Sequence, residues 1–342
     1  MSLNSESYQF YDLFCAMLLG RLPYKTKQFF LVLIKLSIVV GAFYFIYKKL
    51  TENEELDFPL FLQFLRENGT FSPKTILFLM FLSGFNWFLE ILKWRTLVNS
   101  FQKISFKNAL EQSLGSLTAS LFTPNRIGEY GAKAIYYKSR QRKKIVVLNL
   151  LGNMMQMGTT IVFGIIGLIY FNTKFELPID YYNILRFLVI IISIVVLATF
   201  GLRSKTFTVK GVSLPRLKSF IKTISKSTLV YGVLLSVARY LIFSFQFYCL
   251  LQVFGVNASY LNAMMVITSM YLLASIIPSI FIFDVVIKGS IAVYLFSIVG
   301  VNDFTTLSIV TLMWLLNFVL PSLFGSYYVL NFNLPKTEQD EC

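Results

Sequence analysis

Thr123-Pro124-Asn125-Arg126-Ile127-Gly128-Glu129-Tyr130-Gly131-Ala132-Lys133 sets a proline break and three charges inside apolar sequence. Proline lacks the N–H a helix interior needs and asparagine favours turns, so an incoming helix ends here. A new helix is expected from about Arg126 or Ile127. Its first free N–H groups and its dipole make an anion site. Arg126 at that end presents two parallel donors to a phosphate. Glu129 and Lys133 are four apart, share one face and can pair. Left unpaired at membrane depth, each would be costly to bury. Gly128 and Gly131 suit close backbone contact. The plainer alternative is an interfacial helix with solvated charges.

The surroundings say what kind of protein holds this motif. Of 342 residues, 56% are hydrophobic and 14% are charged, against ~25% charged in a soluble domain. Runs near 29–47, 75–92, 145–170, 184–202, 228–254 and 305–330 have the ~20-residue length that crosses ~30 Å of hydrocarbon. The formal charge is +14. Its bases gather in short loops beside apolar runs, which fits a membrane surface and not nucleic acid. No histidine is present, which excludes His-dependent triads and the commonest metal ligand. Cys15, Cys249 and Cys342 are far apart and predict no structural disulfide.

Orientation follows from lysine and arginine. The acid-free segments 95–107, 138–144 and 203–226 are expected in the cytoplasm, and Glu54, Asp57, Glu176, Asp180 and Asp303 outside. The stretch 109–137, broken at Pro124, then has both flanks inside. The stretch 260–299, broken at Pro278, has both flanks outside. Each must enter and leave on one side, as a re-entrant hairpin or a pair of crossings. Residues 1–28 are expected as a cytoplasmic lead-in, 29–331 as one transmembrane domain and 332–342 as a cytoplasmic tail. The membrane expected is the inner (plasma) membrane.

The halves 29–170 and 184–331 repeat. Adding 155 to the first-half numbers carries Glu129 to Asp284 and Lys133 to Lys288, and brings Pro124 within one residue of Pro278. The expected fold class is therefore all-α: a polytopic membrane protein of about six to eight or more helices, with two broken or re-entrant hairpins in an inverted-topology repeat. Asp284 and Lys288 share a face in the second stretch. Arg239 lies mid-span and needs an acid, with Glu129, Glu90 and Asp284 as candidates, or else it simply locks two helices. Glu90 and Lys93 read as snorkelling side chains near a span end, and Lys93-Trp94-Arg95 as an interfacial anchor.

The segment 123–129 resembles the Pro-Gly-Arg-x-Gly-Glu signature of the lysylphosphatidylglycerol synthase transmembrane (flippase-like) domain family. Lys93-Trp94-Arg95 resembles the Arg-Trp-Arg-type end of that family's early helix, and 278–291 its second proline-rich, glycine-rich motif. The resemblance spans about 28–331. Asn125 stands where the family has glycine. The second motif has lost its glycines, reading Ser279-Ile280-Phe281-Ile282-Phe283, and carries Asp284 for glutamate. No soluble synthase domain is expected, so lysyl transfer is not carried over.

The resemblance implies movement of aminoacylated phospholipids or lipid-linked polar groups between leaflets. In that reading Arg126 holds phosphate. Glu129 and Asp284 receive cations or protons, Lys133 and Lys288 balance them, and Arg239 completes the substrate-binding set. Pro124, Asn125, Gly128 and Pro278 shape it. No metal, cofactor or nucleic acid is expected. Expected partners are the membrane, a phospholipid or lipid-linked substrate, and a partner enzyme or second copy. One alternative is a lipid-modifying or glycosyl-transferring membrane enzyme using Glu54, Glu55 and Asp57 to hold a divalent metal. The other is a scaffold for such an enzyme.

Overall fold

The structure is a computed structural model, and it describes residues 33–41, 43–44, 47–48, 58–67, 72–121, 123, 126–175, 208–209, 212–276 and 283–332. Residues 33–41 are helical. The remaining helices are α1 (Phe58–Glu67), α2 (Pro73–Asn99), α3 (Phe106–Ser120), α4 (Gly128–Ala134), α5 (Ser139–Phe175), α6 (Leu214–Thr223), α7 (Lys226–Val253), α8 (Tyr260–Ile276), α9 (Phe283–Ile298), α10 (Asp303–Trp314) and α11 (Leu320–Leu330). A π turn, Leu315–Val319, joins the last two. The one departure from an all-helical chain among the described residues is a two-residue antiparallel ribbon, β1 (Thr208–Val209) with β2 (Val212–Ser213). The expected span 184–202, the acidic loop at 54–57, Pro124, Asn125 and Pro278 lie outside the described residues.

Local chemistry sets the helix ends. Ser72, Ser105 and Ser225 each accept a backbone N–H three residues on, from Thr75, Asn108 and Thr228. Asn302 accepts the N–H groups two and three residues on, from Phe304 and Thr305. These caps satisfy donors that the first turn leaves free. Gly255 and Gly300 sit at φ 73° and 80° just past α7 and α9, a left-handed conformation that glycine takes without strain. Four helical runs, Pro73–Asn99, Ser139–Phe175, Lys226–Val253 and Asp303–Leu330, are long and apolar enough to cross a membrane.

The repeat is written in the helix boundaries. Adding 155 to α2 gives 228–254, where α7 is observed; α3 gives 261–275, where α8 is observed; and α4 gives 283–289, where α9 begins. α5 lands on 294–330, over α10, the π turn and α11. The packing follows the same rule. Among the described residues the three most extensive contacts are α5 on α8, α2 on α7, and α11 on α3. Exchange of the halves turns the first into the third and the second into itself. Both mirrored interfaces depend on glycine. A Cβ on Gly167 would overlap the Thr268 hydroxyl on α8, and one on Gly325 would overlap the Leu114 carbonyl on α3. Small residues at such crossings let helices approach closely in a membrane.

The two broken stretches enter from opposite ends of the bundle. Phe101, after α2, meets Phe220 on α6, and the Lys144 ammonium at the start of α5 lies over both rings. The α3–α4 stretch leaves and returns at this basic end. Phe64 of α1 stacks on Phe254, after α7, and meets Phe304 of α10 edge-on. The α8–α9 stretch leaves and returns there. The arms of the stretches differ in length: α3, α8 and α9 have 15, 17 and 16 residues, or about 22–25 Å each, whereas α4 has seven and rises about 10 Å.

Candidate functional site

The site gathers where α4 meets α2, α5 and α7. Thr123 accepts the Gly128 N–H at 3.0 Å, and a Cβ on Gly128 would crowd the Thr123 methyl. Gly128 is therefore a true close approach. Gly131 faces open space, so the expected close contact fails there. Arg126, just before α4, has φ 56°. A non-glycine residue pays about 1–2 kcal/mol for that conformation. The guanidinium lies on Glu129, three residues further along the chain.

Two carboxylates each sit between two cations. Glu129 takes Lys133 Nζ at 2.7 Å on one oxygen and Arg126 at 3.0 Å on the other. Glu90, on α2, takes Lys93 Nζ at 2.7 Å and Arg239 at 2.8 Å. Glu90, Lys93, Glu129 and Lys133 are buried. The solvated-helix alternative for 126–133 is thus corrected, because α4 packs these charges inward. The snorkelling expected of Glu90 and Lys93 is corrected too: Arg239 reaches across from α7 and gives Glu90 a reason to stay inside. Trp94 is also buried, not at a lipid interface. Its ring lies 4.2 Å from the Lys133 ammonium, and its N–H donates to Gln112 at 2.8 Å. Gln112 accepts a second bond from Tyr137. The Tyr137 hydroxyl is buried as it donates this bond.

From Arg239 a row of amides runs along α2 away from the basic end. Arg239 Nε donates to Asn86 Oδ1 at 3.2 Å, Asn86 to Asn317 at 2.9 Å, Asn317 to Gln246 at 2.9 Å, and Gln246 to the Leu79 carbonyl at 3.0 Å. An arginine can only donate, so it orients every amide after it with the oxygen facing back. Asn317 sits in the π turn, whose loosened ladder frees carbonyls. Those of Leu316 and Asn317 accept from Ser83 and Trp87 of α2. Ser83, Asn86, Glu90 and Lys93 form one stripe on α2, about 15 Å long.

Of the residues singled out in the sequence, Arg126, Glu129, Lys133 and Arg239 converge here. Lys288 is exposed on α9, a helix that packs on α8 and α10. The Asp284 side chain lies outside the described residues. Glu90, one of three candidate partners read for Arg239, is the one Arg239 meets; Lys93, Asn149, Gln112 and the Asn86–Asn317–Gln246 row were not anticipated as site residues. Their signal was a polar side chain recurring every three or four residues inside an apolar span. Among the described residues no cluster of histidine, cysteine or carboxylate side chains could hold a metal ion.

The sequence model of the lysylphosphatidylglycerol synthase TM region matches residues 32–325. The chain belongs to this family. The match covers nearly all of both repeat halves and every residue of the buried cluster. Comparison with curated proteins and with solved structures gave no match. Membership in the lysylphosphatidylglycerol synthase TM family, together with four membrane-length helices, makes this a membrane protein with a lipid-related role.

Proposed function

We propose that this chain is a lipid translocase, moving a phospholipid or lipid-linked polar headgroup between the leaflets of the inner membrane. The observation that carries the reading is the buried cluster around Glu129 and Glu90, seated where a helical stretch breaks and turns back. Charges at membrane depth are costly and mark substrate paths, and broken helices from opposite ends are the architecture of transporters. The basic end carrying Lys144 faces the cytoplasm, so a headgroup enters past Arg126, the least buried cation of the cluster at 33% side-chain exposure. The amide row along α2 offers polar partners deeper in, while acyl chains stay in lipid.

The test is reconstitution in liposomes with fluorescent phospholipids or lipid-linked sugars, following exchange between leaflets. At least one lipid should cross faster than in empty liposomes, and Glu129→Ala should remove the gain. Exchange at the empty-liposome rate for the whole panel would overturn the reading.

A further inference from the structure

Two carboxylates against four cations leave the cluster with an excess of two positive charges, divided evenly: one on the Glu90 triad and one on the Glu129 triad. Arginine keeps its charge under all ordinary conditions, so each triad could lose its excess only at its lysine, and Lys93 and Lys133 each hold a carboxylate oxygen at 2.7 Å. An uncompensated buried charge is strongly unfavourable, and a bound anion removes the penalty. The unpaired buried atoms beside Glu129 have the matching character. Arg126 Nε and Asn149 Nδ2 are buried without an acceptor. Asn149 is 2% exposed, and its oxygen is taken by Lys133 at 2.8 Å. Lysine can only donate, so the amide nitrogen must be the end that is left over. Both unsatisfied groups are therefore donors awaiting an acceptor-rich partner.

We infer that the site takes a headgroup ending in a phosphomonoester, not an aminoacylated or otherwise cationic one. This deepens the translocase reading and rests on it for the lipid nature of the ligand. A phosphomonoester carries about −1.5 to −2 near pH 7 and three strong acceptor oxygens, which matches both the charge excess and the two vacant donors. A phosphodiester brings one negative charge and leaves half of the excess. A headgroup with an added ammonium would bring a further cation beside Lys133 and Arg126, and like charges at close range repel. The neighbouring acid on α3, Glu111, faces Lys107 and Tyr136 and does not alter this balance.

The experiment is lipid binding by the full-length chain in phosphatidylcholine nanodiscs at pH 8, read as a thermal shift. The lipids titrated are phosphatidic acid, phosphatidylglycerol, phosphatidylethanolamine and lysylphosphatidylglycerol. Phosphatidic acid should half-saturate at a level at least tenfold below phosphatidylglycerol, with no saturable shift from lysylphosphatidylglycerol. Asn149→Asp keeps an oxygen for Lys133, removes the free N–H and adds one negative charge. It should cut the preference for phosphatidic acid over phosphatidylglycerol by about tenfold. Arg126→Ala serves as the second variant and should do the same by removing a cation. Inorganic phosphate that competes at the same concentration as phosphatidic acid would assign the ligand to solution, and failure to compete would assign it to lipid; either supports the phosphomonoester. Equal half-saturation by phosphatidic acid and lysylphosphatidylglycerol, or an unchanged preference in Asn149→Asp, overturns it. The translocase reading fails separately, in leaflet exchange, whatever the outcome of binding.

Discussion

The α3–α4 and α8–α9 stretches occupy equivalent places in the repeat and have different contents. α3 buries Gln112, Ser113, Ser116, Thr118 and Ser120, and α4 buries Glu129 and Lys133. α8 buries mainly Ala263, Met265, Val266, Ile267, Met270, Leu272 and Ala274, with Thr268 and Ser269 bonding back to their own helix. Lys288, the counterpart of Lys133, is exposed. The partners differ as well. Position 90 on α2 is glutamate, and its counterpart 245 on α7 is phenylalanine. Among the described residues, the repeat therefore supplies the frame twice and the buried ion-pair cluster once. A pseudo-symmetric scaffold needs only matched helix lengths and close crossings, whereas a buried charge needs a specific partner at each of its atoms.

The largest effect expected from this contrast is at Glu129. Glu129→Ala leaves Arg126 and Lys133 facing each other with no carboxylate between them. Breaking a buried pair in this way costs about 3–5 kcal/mol. In the second stretch Lys288→Ala, at the counterpart of Lys133, removes an exposed side chain and should cost no more than about 1 kcal/mol. Thermal unfolding of both variants in detergent compares them directly. A Lys288→Ala loss as large as that of Glu129→Ala would mean the second stretch carries buried chemistry of its own.

The mirrored crossings should respond alike, and that sharpens the contrast from the other side. Gly167→Leu drives a side chain into Thr268 on α8, and Gly325→Leu drives one into the Leu114 backbone on α3. Overpacking of a tight contact costs about 1–3 kcal/mol. Similar falls in thermal stability are expected for the two variants. A fall confined to one of them would show that the halves share helix lengths but not the same packing rule.

The frame was legible because it depends on features a sequence displays directly. Apolar length gives spans, lysine and arginine give sidedness, and a register of 155 survives even where the residues diverge. The site was legible only where it is local. Glu129 and Lys133 are one turn apart, so their pairing follows from helix geometry. Arg239 with Glu90, and Asn86 with Asn317, join residues 149 and 231 positions apart. Nothing local distinguishes such a partner from a side chain that snorkels. Lys93 shows the cost: beside Trp94 and Arg95 it has the composition of a membrane-interface anchor, yet it is buried against Glu90. Asn149 shows it again. A lone amide in an apolar span does not reveal which of its ends is free until the lysine that takes its oxygen is placed.

The smallest expected effect separates the shape of the first stretch from its charge. Arg126 adopts φ 56°, which glycine takes at no cost and alanine does not. Arg126→Gly and Arg126→Ala both remove the guanidinium from Glu129, so they lose the same ion pair and the same cation. They differ only in backbone strain, and Arg126→Gly should be more stable than Arg126→Ala by about 1 kcal/mol, offset in part by the greater freedom of glycine in the unfolded chain. Headgroup binding should fall equally in both. Equal binding with unequal stability means the left-handed turn serves to aim the arginine. If Arg126→Gly bound headgroup like the unaltered chain while Arg126→Ala did not, the turn alone would be the requirement and the guanidinium dispensable. The two broken stretches would then differ in backbone conformation more than in charge.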